Sequence, residues 1–503
     1  MDLGKKLDNF IAIFSPEAAC RRRGFREAYS GYDAATFTRK DIPVINDERA
    51  NEFDDPARDI VRSRARHLER NSDVVGGMLY ALENNVVGSK INMQADSGDD
   101  KFNEKIEELF NDWQHKENCD ITEQQSLTEI MRMVVDRFII DGGIIITYVY
   151  DKKYEYGMKL QIREVSEISN MGDVALENGN VVKDGIEMTK YGKPISYHFT
   201  NYDPNTGGEL PPEVVSADNV DFLWRKTRPS QYREMSRLSA SITRISDLDD
   251  YSEAVAFQQK VNACNSVFIE TDNVAMQPGR VVNASDGNRY TDLRGGSVRY
   301  LKAGEKAKSI ITNGQAAEYE NYVVTQLRMI AAHIGLSLES ATRNVERVNY
   351  SSARQNMLAD QQTYKHLHEF IVENLLRKMY KRFVDSCRLK GLLEDTKFDS
   401  NEKRYYKCKW LNVGLPWIDP LKEANANSVN LANGCMTFQQ LCANNGVDWR
   451  EQIDAMQEAQ KYADEKGVNL SYIVANEAIV NKGDNENAKG QQGKQNGNQK
   501  PSS

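Results

Sequence analysis

Residues 341–355, ATRNVERVNYSSARQ, bring three arginines (Arg343, Arg347 and Arg354), two asparagines (Asn344 and Asn349) and paired serines into one short polar stretch. A guanidinium presents a fixed fork of donors that matches phosphate and carboxylate oxygens, and amides and hydroxyls add neutral donors. The chemistry on offer is therefore recognition of an oxyanion. An enzyme would place a phosphate or substrate loop here, whereas a structural protein would need only a connector. A second set, Arg58, Arg62 and Arg66, recurs at i, i+4 and i+8 and so shares one helix face. That face is either solvated, with Asp59 and Glu69 beside it, or a surface that meets an acidic neighbouring subunit.

No other grouping offers chemistry. His366 and His368, at i and i+2, point to different faces of a helix and cannot share a metal. Cys435 and Cys442, seven apart, are expected on one helix face as core residues. The phosphate loop G-x-x-x-x-G-K-[ST], the zinc motif H-E-x-x-H and the nucleophile elbow G-x-S-x-G do not occur. Gly142-Gly143 precedes a strand, not the helix that a nucleotide site requires. The expectation is a protein with no catalytic, cofactor or metal site.

The elements that would hold the arginines can be read from turn signals and periodicity. Asp54 and Asp55 before Pro56 predict a helix start, with a capping acid ahead of proline in the first turn. After Asn71 a second helix runs to Asn84-Asn85, followed by the extended VVGSKINMQ. Two amphipathic helices are expected over 101–140. GGIIITYVY (142–150) and MKLQIREVSEI then read as paired strands, opening a mostly antiparallel sheet unit over 142–225. Helix returns at Tyr232, with Met235, Leu238, Ile242, Ile245, Leu248, Tyr251 and Val255 in one apolar stripe. A Gly-rich, short-stranded stretch follows to about residue 313. Tyr319, Val323, Leu327, Ile330 and Ile334 mark a further helix that stops at Gly335. Residues 352–389 form one long helix, about 57 Å if unbroken, with Ser351 or Ser352 as its cap.

Composition bounds the rest. The chain has 503 residues, 28% charged and 40% apolar, enough for several units and a sizeable core. Its net charge is −9, whereas a protein that grips nucleic acid through phosphates is normally basic. An acidic balance does suit a protein that surrounds moving DNA without adhering to it. Seven scattered cysteines without a C-x-x-C pair fit free thiols in a reducing compartment. No apolar run approaches the ~20 residues of a membrane span, and the start, MDLGKKLDNFIAIFSPEAACRRR, lacks the apolar region of a signal peptide. CRRRGFR (20–26) is a basic cluster, and 483–503 is too polar to form a core and reads as disordered.

Four collinear stretches resemble the lambda-type portal proteins of tailed bacteriophages. They are ARDIVRSRARHLERNSDVVGGMLYALENNVVGSKI (57–91), RPSQYREMSRLSASITRISDLDDYSEAVAFQQKVNACNSVFI (228–269), QLRMIAAHIGLSLES (326–340) with NYSSARQ (349–355), and WLNVGLPWIDPLKEANANSVNLANGCMTFQQLCANNGVDW (410–449). One departure stands out. After Arg228-Pro229 the family tends to have Arg-Gly-Val-Pro, and here Arg233-Glu234-Met235-Ser236 takes its place, which predicts an earlier and straighter helix.

The resemblance implies an α+β portal fold with an α/β wing, a long helical stem, a small β-containing clip and an α-helical crown, assembled as a ring, usually of twelve subunits. In that order the segments are an N-terminal arm and wing at 1–230, a stem helix at 231–262, the clip at 263–315, a second stem helix at 316–335, a tunnel loop at 336–350, a long wing helix and return at 351–414, a crown at 415–482 and the tail at 483–503. Double-stranded DNA would pass through the channel during packaging and ejection. The implied partners are the terminase large subunit, the head–tail connector or adaptor, the major capsid protein and further copies of the chain, with no membrane. The place would be the portal vertex of the virion, after assembly in the host cytoplasm. The tunnel loop and helix start would bring Arg343, Asn344, Arg347, Asn349 and Arg354 toward the channel. Another capsid or head–tail adaptor ring is the competing reading, and a DNA-processing enzyme a more distant one.

Overall fold

The computed structural model describes residues 15, 49–169, 174–176, 179–202, 208–263, 267–270, 298–301, 315–346, 349–399, 402–411, 414 and 420–468. The basic cluster at 20–26, most of the segment 263–315, Arg347 and the tail at 483–503 lie outside them. The chain divides into a small unit, residues 1–56 with 227–231, and a large unit that holds the rest.

Helix α1 (Ala50–Asn71), whose first seven residues belong to the small unit, begins six residues before Pro56, so Asp54 and Asp55 are not its cap. Its first turn is held from outside the helix: the Ala50 amide donates to Ser230 Oγ at 3.0 Å, and Gln231 donates to Asp54 at 3.4 Å. With that turn anchored, Pro56 removes only one intrahelical bond.

The large unit continues with α2 (Asp73–Val86), β1 (Met93–Ala95), α3 (Asp100–Trp113), the short α4 (Lys116–Cys119) and α5 (Leu127–Ile140). Ser126 and Glu129 close a capping box at the start of α5. Next come β2 (Gly143–Tyr150), β3 (Met158–Arg163), β4 (Val174–Ala175), β5 (Val181–Lys183), β6 (Ile186–Met188), β7 (Pro194–Tyr202), β8 (Glu209–Ser216) and β9 (Val220–Trp224). They form one antiparallel sheet in the order β3-β2-β9 and an antiparallel meander from β4 to β8. The mostly antiparallel unit expected at 142–225 is thus present as two sheets. Gly142 has φ +88°, and a Cβ there would lie 2.2 Å from the Met235 carbonyl oxygen, so the doublet before β2 serves close backbone packing.

The next helix, α6 (Ile242–Ala263), starts ten residues later than the apolar stripe suggests. Residues 232–236 are irregular and 237–241 are turns, because Arg233 and Glu234 are drawn into the core. Glu234 is wholly buried, with Arg233 Nε at 2.9 Å, and Arg233 also donates to the Val165 and Asp184 carbonyls. The residues in place of Gly-Val-Pro therefore delay the helix. After it, β10 (Val267–Glu270) and β11 (Val298–Leu301) pair in parallel.

Helix α7 (Gln315–Ile334) leads through α8 (Leu338–Thr342) to the longest helical run. This comprises α9 (Tyr350–Ile371), one π turn (Val372–Leu376) and α10 (Arg377–Leu389) without a break, about 60 Å at 1.5 Å per residue. Its cap is Asn349, whose side chain accepts from the Ser352 amide at 2.9 Å. The cap expected at Ser351 or Ser352 falls inside the first turn.

The far end of this run enters an aromatic core with α3: Phe110 and Phe383 have centroids 5.3 Å apart, Trp113 and Phe383 5.1 Å, and Phe102 and Tyr405 4.8 Å. Strand β12 (Cys408–Trp410) pairs with β1. Helices α11 (Pro420–Ala432), α12 (Phe438–Asn444) and α13 (Trp449–Lys466) follow. A Thr437–Gln440 capping box starts α12 afresh, which leaves Cys435 exposed in the preceding turn while Cys442 is buried in the helix. The two cysteines do not share a helix face.

Candidate functional site

The polar stretch is built on a pinned base. Gly335 ends α7 at φ +88°, and its carbonyl accepts from Thr363 Oγ1 at 2.8 Å. Asp360 on α9, 3% exposed, accepts the Ser337 amide at 2.7 Å, Ser337 Oγ at 2.6 Å and the Ser340 hydroxyl. Asn356 donates to Glu339 at 3.0 Å. Hydrogen bonds to an ionised acceptor are among the stronger ones, so the short helix is tied to the long one along both its turns. On the other side, a Cβ on Gly77 of α2 would stand 2.9 Å from the Ala341 carbonyl oxygen. Glycine there lets the two helices approach.

Beyond this base the chain opens out. Arg343 takes the left-handed conformation (φ 57°) as the C-cap of α8, and its guanidinium lies 4.5 Å from the centre of the Tyr80 ring. Asn344 turns the loop by accepting from the Glu346 amide at 3.0 Å. Arg343, Asn344, Val345 and Glu346 are exposed, as is Arg354 one turn into α9. Asn349 spends its side-chain oxygen as the cap. Among the described residues no carboxylate pairs with Arg343 or Arg354.

The other arginine set is arranged differently. Arg58 meets Asp184 at 3.4 Å, Arg62 meets Asp59 at 2.5 Å and Glu234 at 3.5 Å, and Arg66 forks onto Asp141 at 2.7 and 2.8 Å with Glu164 at 2.9 Å. Their acids belong to the same chain. Only Asp59 and Glu164 are exposed among these acids. Burial pushes the Glu234 carboxyl up, but the charge and hydrogen bonds of Arg233, with the charge of Arg58, hold it below the ordinary value. The hydrogen bond and charge of Asp141 keep Arg66 protonated more firmly than usual.

Asp360, Tyr80 and Asp141 are not among the residues singled out by motif, and Arg233 and Glu234 stand out there only as a departure from the family pattern, not as a buried pair. Asp360 lies 20–23 residues from its serines, beyond any local pattern. Gly76-Gly77 inside an apolar-periodic helix does carry a signal, since helix-interior glycine is unfavourable unless a neighbour approaches closely. His366 is exposed, and His368 Nδ1 donates to the Val86 carbonyl at 3.0 Å. Among the described residues no three His, Cys, Asp or Glu side chains gather to hold a metal, and no helix is long and apolar enough to cross a membrane.

The family model described as phage portal protein, lambda family, matches residues 44–367, a span that contains both arginine sets and the loop base. The chain belongs to the lambda family of phage portal proteins. A probable portal protein of Halomonas phage phiHAP-1 is 26% identical to this portal chain over 383 residues, covering 73% of each. Portal protein B of Escherichia phage lambda is 19% identical over 434 residues, covering 77% of this portal chain and 81% of that one. Among solved structures, the neck of an empty gene transfer agent particle, computed with C6 symmetry, matches with a TM-score of 0.44 at 12% identity, covering 76% of this portal chain and 93% of that one. The portal chain is a structural component of a tailed-phage particle, with an α+β fold.

Proposed function

We propose that copies of this chain close into a ring, usually of twelve, at the portal vertex of the capsid. Double-stranded DNA passes through its channel on packaging and on ejection. In this reading the segments 1–230, 231–262 with 316–335, 263–315 and 415–482 serve as wing, stem, clip and crown. The ring docks the terminase large subunit, later the head–tail connector, and sits against the major capsid protein after assembly in the host cytoplasm. It works without catalysis, by shape and weak electrostatics. The acidic balance keeps DNA sliding, while a few loop cations touch phosphates weakly enough to release them.

The observation that carries the reading of the loop is the contrast between its pinned base at Asp360 and its open polar tip. Arg343 is partly committed to Tyr80 and Asn349 to capping, so Arg347 and Arg354 are the cations assigned to DNA, with Asn344 shaping the turn ahead of them. Arg58, Arg62 and Arg66 are assigned to the interior of the subunit and not to a subunit contact. Replacing Arg347 and Arg354 together by alanine is expected to lower the DNA packaged or retained per particle while rings still form. Unchanged packaging would remove the loop from the mechanism.

A further inference from the structure

The pair α6–α7 carries two unpartnered faces that complement each other. The helices pack antiparallel: Tyr251 stacks on Tyr319 with centroids 5.7 Å apart and meets Tyr322 edge-to-face at 4.7 Å, and Arg244 reaches Gln326 at 3.4 Å and the Met329 sulfur. Ile245, Leu248, Ile330, Ala331 and Ile334 are buried on their inner sides. On the outer side of α6, Asp247, Asp250, Ala254 and Phe257 fall within an arc of about 80° at 3.6 residues per turn. On the outer side of α7, Asn321, Thr325, Arg328 and Ala332 fall within about 60°, flanked by Tyr322 and Met329.

Asp247, Asp250 and Arg328 are exposed, and none has an ion pair among the described residues. Phe257 is 67% exposed and Met329 52%, far more than their apolar surface warrants in a finished assembly. Within one chain the two faces cannot meet, because each looks away from the packed side of its helix. The contacts of residue 244 with 326 and of 251 with 322 set them at matching heights. Asp247 stands within about 5 Å of Arg328 along the pair at 1.5 Å per residue.

We infer that the occupant of each face is the other face on a second copy of this chain. Asp247 and Asp250 of one subunit would meet Arg328 of the next, with Phe257, Tyr322 and Met329 as apolar contacts. The small side chains Ala254, Thr325 and Ala332 allow the helices to approach closely. A contact between two different surfaces is head-to-tail, and repeated with a closing rotation it generates a ring. This inference rests on the ring proposed above and names the surface that closes it.

Two charge-reversal variants test it, D247K/D250K and R328E, read by native mass spectrometry and negative-stain microscopy at moderate salt. Each alone should need at least about tenfold more protein to form rings, because like charges then face each other. Mixed together they should restore rings of alternating subunits, and the triple variant in one chain should restore uniform ones. Circular dichroism checks that each variant is folded. Should a substitution unfold the chain, D247N/D250N and R328Q are expected to give a smaller shift in the same direction. Variants that assemble like the unmodified chain, or folded variants that stay apart when mixed, would overturn the inference and leave the ring itself standing. An unmodified chain that forms no ring would instead defeat the ring proposal on which it rests.

Discussion

Two groups of arginines in one chain have opposite environments. Arg58, Arg62 and Arg66 lie on one helix face, and each finds a carboxylate of its own chain, two of which, Glu234 and Asp141, are buried. Arg343 and Arg354 stand in the open, and among the described residues the Arg343 guanidinium meets the Tyr80 ring and no carboxylate. A buried guanidinium whose donors are taken by fixed acids has little left for a ligand, and removing one acid strands a charge. An exposed guanidinium without an acid keeps its donors available while adding little to stability. The first group is held within its own chain and the second is exposed, although both are arginines spaced along or beside a helix.

The largest effect is expected at Asp141. This acid is almost wholly buried and serves both Arg66 and Arg137. D141A should destabilise the chain by about 3–5 kcal/mol, the range for breaking a buried pair by removing one partner. A denaturant midpoint unchanged from the parent would mean that the first group is not scaffold.

The base of the loop comes next. D360A removes the acceptor of the Ser337 and Ser340 hydroxyls and should cost about 2–3 kcal/mol, with faster amide exchange over 337–342. If exchange there is unaltered, the tip is not held by a pinned base. At the other extreme, R354A should change stability by less than about 0.5 kcal/mol, as for a surface substitution without a buried partner. A larger loss would show that Arg354 has a structural partner after all.

A smaller, pH-dependent effect is expected where α3 meets β1. Glu107 accepts the Ala95 amide at 2.7 Å, yet burial outweighs that bond and pushes its carboxyl up from 4.5 to about 7. The folded state then holds a proton that the unfolded chain has released. Stability from this group is present at low pH and lost as pH rises through that window. E107Q should flatten the decline between about pH 4.5 and 7 in a thermal-melt series, and an identical slope in the variant would rule Glu107 out as its source.

Much of this was legible in the sequence where short-range rules govern. The long helix showed in its apolar spacing, the sheet unit in period-two runs and turn residues, and the stop at Gly335 in its glycine. The boundaries that moved did so for non-local reasons. Ser230 steadies a turn ahead of Pro56, and the core claims Arg233 and Glu234 before α6 can start. A cap passed from serine to Asn349 because the residue just outside the helix has the better-placed oxygen. Within the site, the arginines and asparagines could be seen directly. What distinguishes them from Arg58, Arg62 and Arg66 is the presence or absence of acids that are distant in sequence, and spacing alone does not encode it.

The most direct test of the central claim is a reconstruction of the purified chain by electron cryo-microscopy. The expected result is a closed ring whose channel wall is lined by residues 341–349, with the α6 face of each subunit against the α7 face of the next. A chain that remains monomeric at high concentration, or a ring with 341–349 on its outer rim, would contradict it.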